Sequence, residues 1–119
     1  MILKGIIDHM KTLNVHNLQL VLLREHGAVC HITIQCDEFV HGYDDNIEQA
    51  AMDLDRILSG DDTSTWEGNH PEARQNHTTD FEVYDESDLL ALAEGKELTP
   101  ADYAEYITDP HAFWQKHKQ

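Results

Sequence analysis

The apolar positions of the chain change period several times, and each change predicts an element. Ile2, Leu3, Ile6, Ile7, Met10 and Leu13 recur at spacings of three and four, with Lys4, Asp8 and Lys11 off that stripe. This predicts an amphipathic N-terminal helix over about Ile2 to Leu13. After Asn14 to Asn17 comes an apolar run of strand length, Leu18 to Leu23, then Glu25, His26 and Gly27 as a turn, then an alternating stretch from Ala28 to Cys36. The pattern is that of a β-hairpin over 18–36. In its second strand Cys30, Ile32, Ile34 and Cys36 share one face, while Val29, His31, Thr33 and Gln35 share the other. One side is therefore expected to be buried and the other wet or lightly covered, with the helices on the cysteine face.

Phe39 to Tyr43 is expected to extend the sheet, and a second helical stripe follows. Ile47, Ala50, Ala51, Leu54, Ile57 and Leu58 mark a helix near 46–58, with Asp45 and Glu48 reading as a capping box and Gly60 in place for a C-terminal cap. Residues 59–79 are polar, show neither period and read as a long loop. Phe81 to Tyr84 reads as a short returning strand, and Ser87 as the cap of a helix over Asp88 to Glu94, with Gly95 after it. Thr99-Pro100 and Asp109-Pro110 predict two short C-terminal helices, Pro100 to Ile107 and Pro110 to Lys118. No repeat is present, so the expectation is a single acidic α+β domain over residues 1–119: a small antiparallel sheet packed by the N-terminal helix, the helix near 46–58 and short C-terminal helices.

Composition adds to this picture mainly through charge. At 119 residues and 40% hydrophobic content the chain has the material for one core. Eight Lys plus Arg stand against 23 Asp plus Glu, a formal net charge of -15, which opposes direct binding to DNA, RNA or anionic lipid. Met1 to Leu13 lacks the long apolar centre and small-residue cleavage site of a signal peptide, and no apolar run approaches the roughly 20 residues of a membrane helix. A cytoplasmic location is expected. Cys30 and Cys36 in one extended strand lie about 20 Å apart at ~3.3 Å per residue, beyond the ~7 Å that a disulfide tolerates, and read as reduced core thiols.

The charge is patterned. Residues 1–36 sum to +1, 37–62 to -8, 63–79 to -1, 80–109 to -9 and 110–119 to +2. Carboxylates three or four residues apart on a helix stand about 5–6 Å from one another, close to the spacing of successive phosphates on a nucleic-acid strand. Two acidic, largely helical blocks can thus offer fixed negative charge to a groove lined with Lys and Arg, with salt-sensitive association. Asp45, Asp85 and Asp109 lie near predicted helix N-termini, where the macrodipole accounts for them. Candidate partner-binding residues are then Glu48, Asp53, Asp55, Asp61, Asp62, Glu86, Glu94, Asp102 and Glu105, with Trp66 of the polar loop as an exposed aromatic anchor. Phe113 and Trp114 are expected to pack in the core.

Catalytic chemistry has less support. Nine histidines are many for this length, and His70, His77 and Asp80 fall in or beside the long loop, but no pair of His at i and i+4 and no CxxC accompanies them. His31 and His41, near Cys36, read as exposed strand residues. There is no phosphate-binding Gly-rich loop, no Gly-x-Ser-x-Gly elbow and no Ser-x-x-Lys signature. Neither a cofactor nor an enzyme activity is expected.

The size, the acidity and the segment Thr65-Trp66-Glu67-Gly68-Asn69-His70-Pro71-Glu72 resemble small phage anti-defence proteins, the anti-CRISPR and anti-restriction inhibitors, some of which imitate DNA. The resemblance covers the whole chain in character and carries no family site. It implies stoichiometric inhibition of a basic nucleic-acid-binding protein or ribonucleoprotein complex. Two other readings stand beside it: a small metal-dependent enzyme using the loop histidines, and an adaptor or structural subunit of a larger assembly.

Overall fold

A computed structural model of the protein describes residues 13–69, 78–94 and 97–117. The elements run β1 (Gln19–Glu25), β2 (Ala28–Cys36), β3 (Phe39–Asp44), α1 (Ile47–Leu58), β4 (Thr79–Asp85), α2 (Glu86–Ala93), α3 (Pro100–Thr108) and α4 (Pro110–Lys116). This is the expected α+β class, with one four-stranded sheet in the order β3-β2-β1-β4 and every neighbouring pair antiparallel. The expected N-terminal helix and the Gly95 cap lie outside the described residues.

Local chemistry explains most of the element ends. The β1–β2 connection is two residues long, His26 and Gly27, with φ of 53° and 83°. Two left-handed residues in succession match the twist of the flanking strands, and the glycine adopts that conformation without steric cost. Gly60, at φ 108°, follows the Ser59 cap of α1 and donates its N–H to the Ile57 carbonyl at 3.1 Å. Pro100 and Pro110 open α3 and α4 behind the caps Thr99 and Asp109.

Two caps differ from expectation. Asn46, not Asp45, caps α1: it directly precedes the first helical residue, and its side-chain oxygen accepts from the Gln49 N–H at 3.2 Å. Asp85, not Ser87, caps α2, because β4 runs straight into that helix and leaves Asp85 extended at the junction. Its carboxylate accepts from the Asp88 N–H at 3.0 Å, and Asp88 accepts from the Asp85 N–H at 3.1 Å. Ser87 instead donates its hydroxyl to Asp85. Hydrogen bonds from the Asp88 amide and the Ser87 hydroxyl hold the Asp85 carboxyl below its ordinary pKa.

The core lies between the sheet and the helices. Leu20, Leu22, Ile32, Ile34 and Cys36 are buried with Ala50, Leu54, Ile57, Leu89, Tyr103, Ile107 and Phe113. The cysteine face is thus the helix face, with one exception. Register slips between Leu23 and Arg24, so that Leu23 faces His31 and Arg24 faces Val29, leaving Cys30 as the extra residue of a β-bulge. Cys30 is exposed as a result, while Cys36 is buried, and both thiols are free. Burial raises the Cys36 thiol above its ordinary pKa, partly offset by its contact with the Thr63 hydroxyl. His31 and Thr33, on the opposite face, are buried rather than exposed, and His41 is half-buried. Among the described residues no helix is long and apolar enough to cross a membrane.

A second bulge, between Ile32 and Thr33, inserts Tyr43 into β3. Its buried ring lets the hydroxyl donate to Asp53 on α1 at 2.6 Å. The chain then crosses the sheet through α1, and β4 pairs with β1 at the edge opposite β3.

Candidate acidic interface on the helical layer

α1 is amphipathic. Ala50, Ala51, Leu54, Ile57 and Leu58 are buried, and Glu48, Gln49, Met52 and Arg56 are exposed. α3 packs against α1 with Tyr103, Tyr106 and Ile107 inward. This packing joins the two acidic blocks. Tyr103 sits in the core with its phenol pKa raised, first by burial and then by the carboxylates of Asp55 from α1 and Asp102 from its own helix. Among the described residues the Tyr103 hydroxyl has no hydrogen-bond partner. Residues 47 positions apart in the chain thus bring their negative charge to one seam.

The other candidate residues fall into distinct settings. Glu48 is exposed in the first turn of α1, where its charge also favours the helix dipole. Asp53 accepts from the Tyr43 hydroxyl and, at 3.2 Å, from Gln49 Nε2. Asp61 pairs with Arg56 Nε at 3.0 Å, and Asp62 accepts the Ser64 N–H at 2.8 Å in a local turn. Glu86 is half-buried, with no partner for its Oε1 among the described residues, and Glu94 is exposed at the end of α2.

Asp102 and Glu105 carry local roles that were not expected. Asp102 completes a capping box with Thr99, and both face His117 Nε2, at 3.7 Å and 3.8 Å, with Lys116 Nζ 3.4 Å from Glu105. Lys116, in the last turn of α4, thereby neutralises part of the second block.

Trp66 is not the exposed anchor that its polar neighbours suggested. It is half-buried: its ring meets Phe39 edge-on at 5.5 Å, and the Arg56 guanidinium lies 4.3 Å from its centroid. The following residues hold it there. Asn69 donates its N–H to the Val40 carbonyl at 2.8 Å and accepts from the Gly42 N–H at 2.7 Å, which closes the outer edge of β3. Gly68 permits this approach, since a Cβ there would run into the Val40 carbonyl oxygen, with the Val40 carbonyl carbon and nitrogen both at 3.2 Å. Clefts of about 600 and 350 Å³ lie on either side of Trp66, one bordered by Asp37, Glu38 and Asp62, the other by Asp53, Arg56 and Glu67.

Trp114 is the exposed tryptophan, at 42%, while Phe113 is fully buried. Met52, at 50%, stands among the acids of α1. Its position off the α1 stripe was a readable signal of exposure.

Among the described residues no group of three or more His, Cys, Asp or Glu is arranged to hold a metal ion. His70 and His77 lie outside the described residues.

All four tyrosines have raised pKa values. For Tyr43 and Tyr84 burial acts first, then hydrogen bonds to the carboxylates of Asp53 and Glu82. Tyr106 is pushed up to about 12 by burial and by Asp88 and Glu82. Unfolded tyrosine ionises near pH ~10, so the stability these groups contribute is complete below that pH and lost as pH rises through it toward the folded values. In an alkaline titration, phenolate absorbance and loss of the circular-dichroism signal are expected to rise together above about pH 10. A tyrosine ionising near pH ~10 in the intact fold would contradict these environments.

No family model, curated protein or solved structure matches the chain.

Proposed function

We propose that the protein is a stoichiometric inhibitor that binds a basic, nucleic-acid-binding protein or ribonucleoprotein complex and occupies the groove meant for nucleic acid. Some phage anti-CRISPR and anti-restriction proteins imitate DNA in this way, and the inhibition would operate in the host cytoplasm. The observation that carries the reading is the packing of α3 against α1, which sets acids of the two blocks, Asp55 and Asp102 among them, on one helical layer. Helices packed on a sheet hold their carboxylates in place, so a basic groove would exchange mobile counterions for fixed charge without first ordering the inhibitor.

A pull-down of the tagged protein at low salt from its native host, eluted by a sodium chloride gradient and read by mass spectrometry, tests this. A nucleic-acid-binding complex released by salt and competed off by DNA or RNA is the expected result. The pair Glu48→Lys and Glu94→Lys, one exposed acid from each block, is expected to weaken capture by about tenfold or more, equivalent to ~1.4 kcal/mol. Capture indifferent to salt and to nucleic acid would end the proposal.

A further inference from the structure

Trp66 borders two clefts, and one of them shows what its ring accepts. The Arg56 guanidinium, 4.3 Å from the ring centroid, borders the smaller cleft of about 350 Å³ together with it. The larger cleft, about 600 Å³, is walled by Trp66, Phe39 and Thr63 and rimmed by Asp37, Glu38 and Asp62. Its volume falls within the range of sites that take up a small ligand.

The walls are held by the fold itself. Phe39 and Thr63 are buried, and the Phe39 ring stands at 85° to the plane of Trp66. The Trp66 N–H donates to the Thr63 carbonyl at 3.0 Å, and Asn69 donates to the Val40 carbonyl at 2.8 Å beside the close approach of Gly68. Two of the rim acids are set by backbone groups. Asp37 accepts the His16 N–H at 3.1 Å and lies 3.3 Å from the same residue's Nδ1, and Asp62 accepts the Ser64 N–H at 2.8 Å. A carboxylate has about four lone-pair sites, so each can accept further hydrogen bonds.

This combination selects a cation. An indole face attracts a guanidinium through its ring quadrupole, as it does Arg56, and three carboxylates at the mouth of the larger cleft add the charge to hold one. Arginine suits the cleft better than lysine. Its planar fork lies flat on an aromatic ring and donates to more than one carboxylate, whereas a compact ammonium is more strongly hydrated and costs more to bring in. We infer that the larger cleft is a socket for an arginine side chain of the partner, with the guanidinium against Trp66 and its N–H groups donating to Glu38 and Asp62. This rests on the reading of the protein as the binder of a basic partner, and it gives that contact a specific point as well as a charged surface. The half-buried Trp66 then serves the interface as the wall of a socket rather than as an inserted anchor.

The test titrates the intact protein at fixed low salt with blocked glycine-rich peptides that carry arginine, lysine or the neutral isostere citrulline at the centre, and follows the Trp66 indole N–H by NMR. The arginine peptide is expected to bind about tenfold more tightly than the citrulline peptide and about threefold more tightly than the lysine peptide, with the Trp66 resonance moving. Glu38→Gln with Asp62→Asn is expected to weaken arginine binding about fivefold or more. Glu25→Gln with Asp80→Asn removes as much charge from exposed positions on β1 and β4, and is expected to weaken it less than about twofold. The peptide comparison uses the unaltered protein and does not depend on the variants folding.

Equal binding of the arginine and citrulline peptides, lysine bound as tightly as arginine, a Trp66 resonance that stays in place, or equal losses from the two charge-removing pairs would overturn the socket. A salt-sensitive pull-down beside any of these would leave the basic-partner reading standing. Failure of every peptide, together with a salt-indifferent pull-down, would overturn both.

Discussion

Replacing Arg24 by methionine is expected to destabilise the fold by about 3–5 kcal/mol, the range for removing one partner of a buried ion pair. Only 8% of the Arg24 side chain is exposed. Its Nε donates to Glu82 at 2.7 Å, Nη1 to the Thr108 carbonyl at 3.0 Å and Nη2 to the Ile107 carbonyl at 2.6 Å. One guanidinium thus ties β1 to β4 and to the last turn of α3, where carbonyls lack helical partners and a cation favours the dipole. Methionine keeps much of the stem packing, so the loss isolates the polar contacts. It leaves Glu82 with the Tyr84 hydroxyl, at 2.6 Å, as its remaining hydrogen-bond donor, and strands two carbonyls.

Lysine, with one compact charge and no fork, is expected to recover only part of the stability. Urea unfolding measures both variants, and a shift under about 1 kcal/mol for Arg24→Met would mean that water replaces these bonds with little cost. In a domain with a total stability of roughly 5–15 kcal/mol, the expected loss is a large fraction.

Leu54→Ala is expected to cost about 2–5 kcal/mol. Leu54 is fully buried in α1, on the stripe with Ala50, Ala51, Ile57 and Leu58, so truncation leaves a cavity. Met52→Ala on the exposed side of the same helix is expected to stay within about 0.5 kcal/mol. The pair separates burial from helix propensity, because both replace a long side chain by alanine at helical positions. Similar unfolding midpoints for the two variants would place the α1 core contact elsewhere. The same pair bears on function: Leu54→Ala loosens the helix that presents Glu48 and Asp55, whereas Met52→Ala removes an apolar contact in the middle of the acidic surface without loosening it.

Much of the helical and hairpin structure was legible because its causes are local. The α1 stripe, the His26-Gly27 turn, Gly60 and the two cap-plus-proline starts depend on residues within about one turn of each other, and each lies where its pattern indicates. The acidic blocks were also legible, since charge along a chain needs no fold to be counted. Some local choices still went to a neighbour, as Asn46 and Asp85 show: several residues in each segment had suitable side chains, and the helix start selected one.

The rest depended on segments distant in the chain. Cys30 left the core because a bulge shifted β2 against β1, a matter of register that alternation within one strand does not contain. Trp66 was drawn in by Phe39, Arg56 and the β3 backbone, although its sequence neighbours are polar. Arg24 finds its acceptors on β4 and α3, segments more than 50 residues away in the chain. Strand order follows the same logic: only the crossing of α1 over the sheet sets β4 beside β1. Periodicity and capping are short-range energies written in consecutive residues, whereas pairing, register and the meeting of the acidic blocks are set by which distant surfaces bury each other.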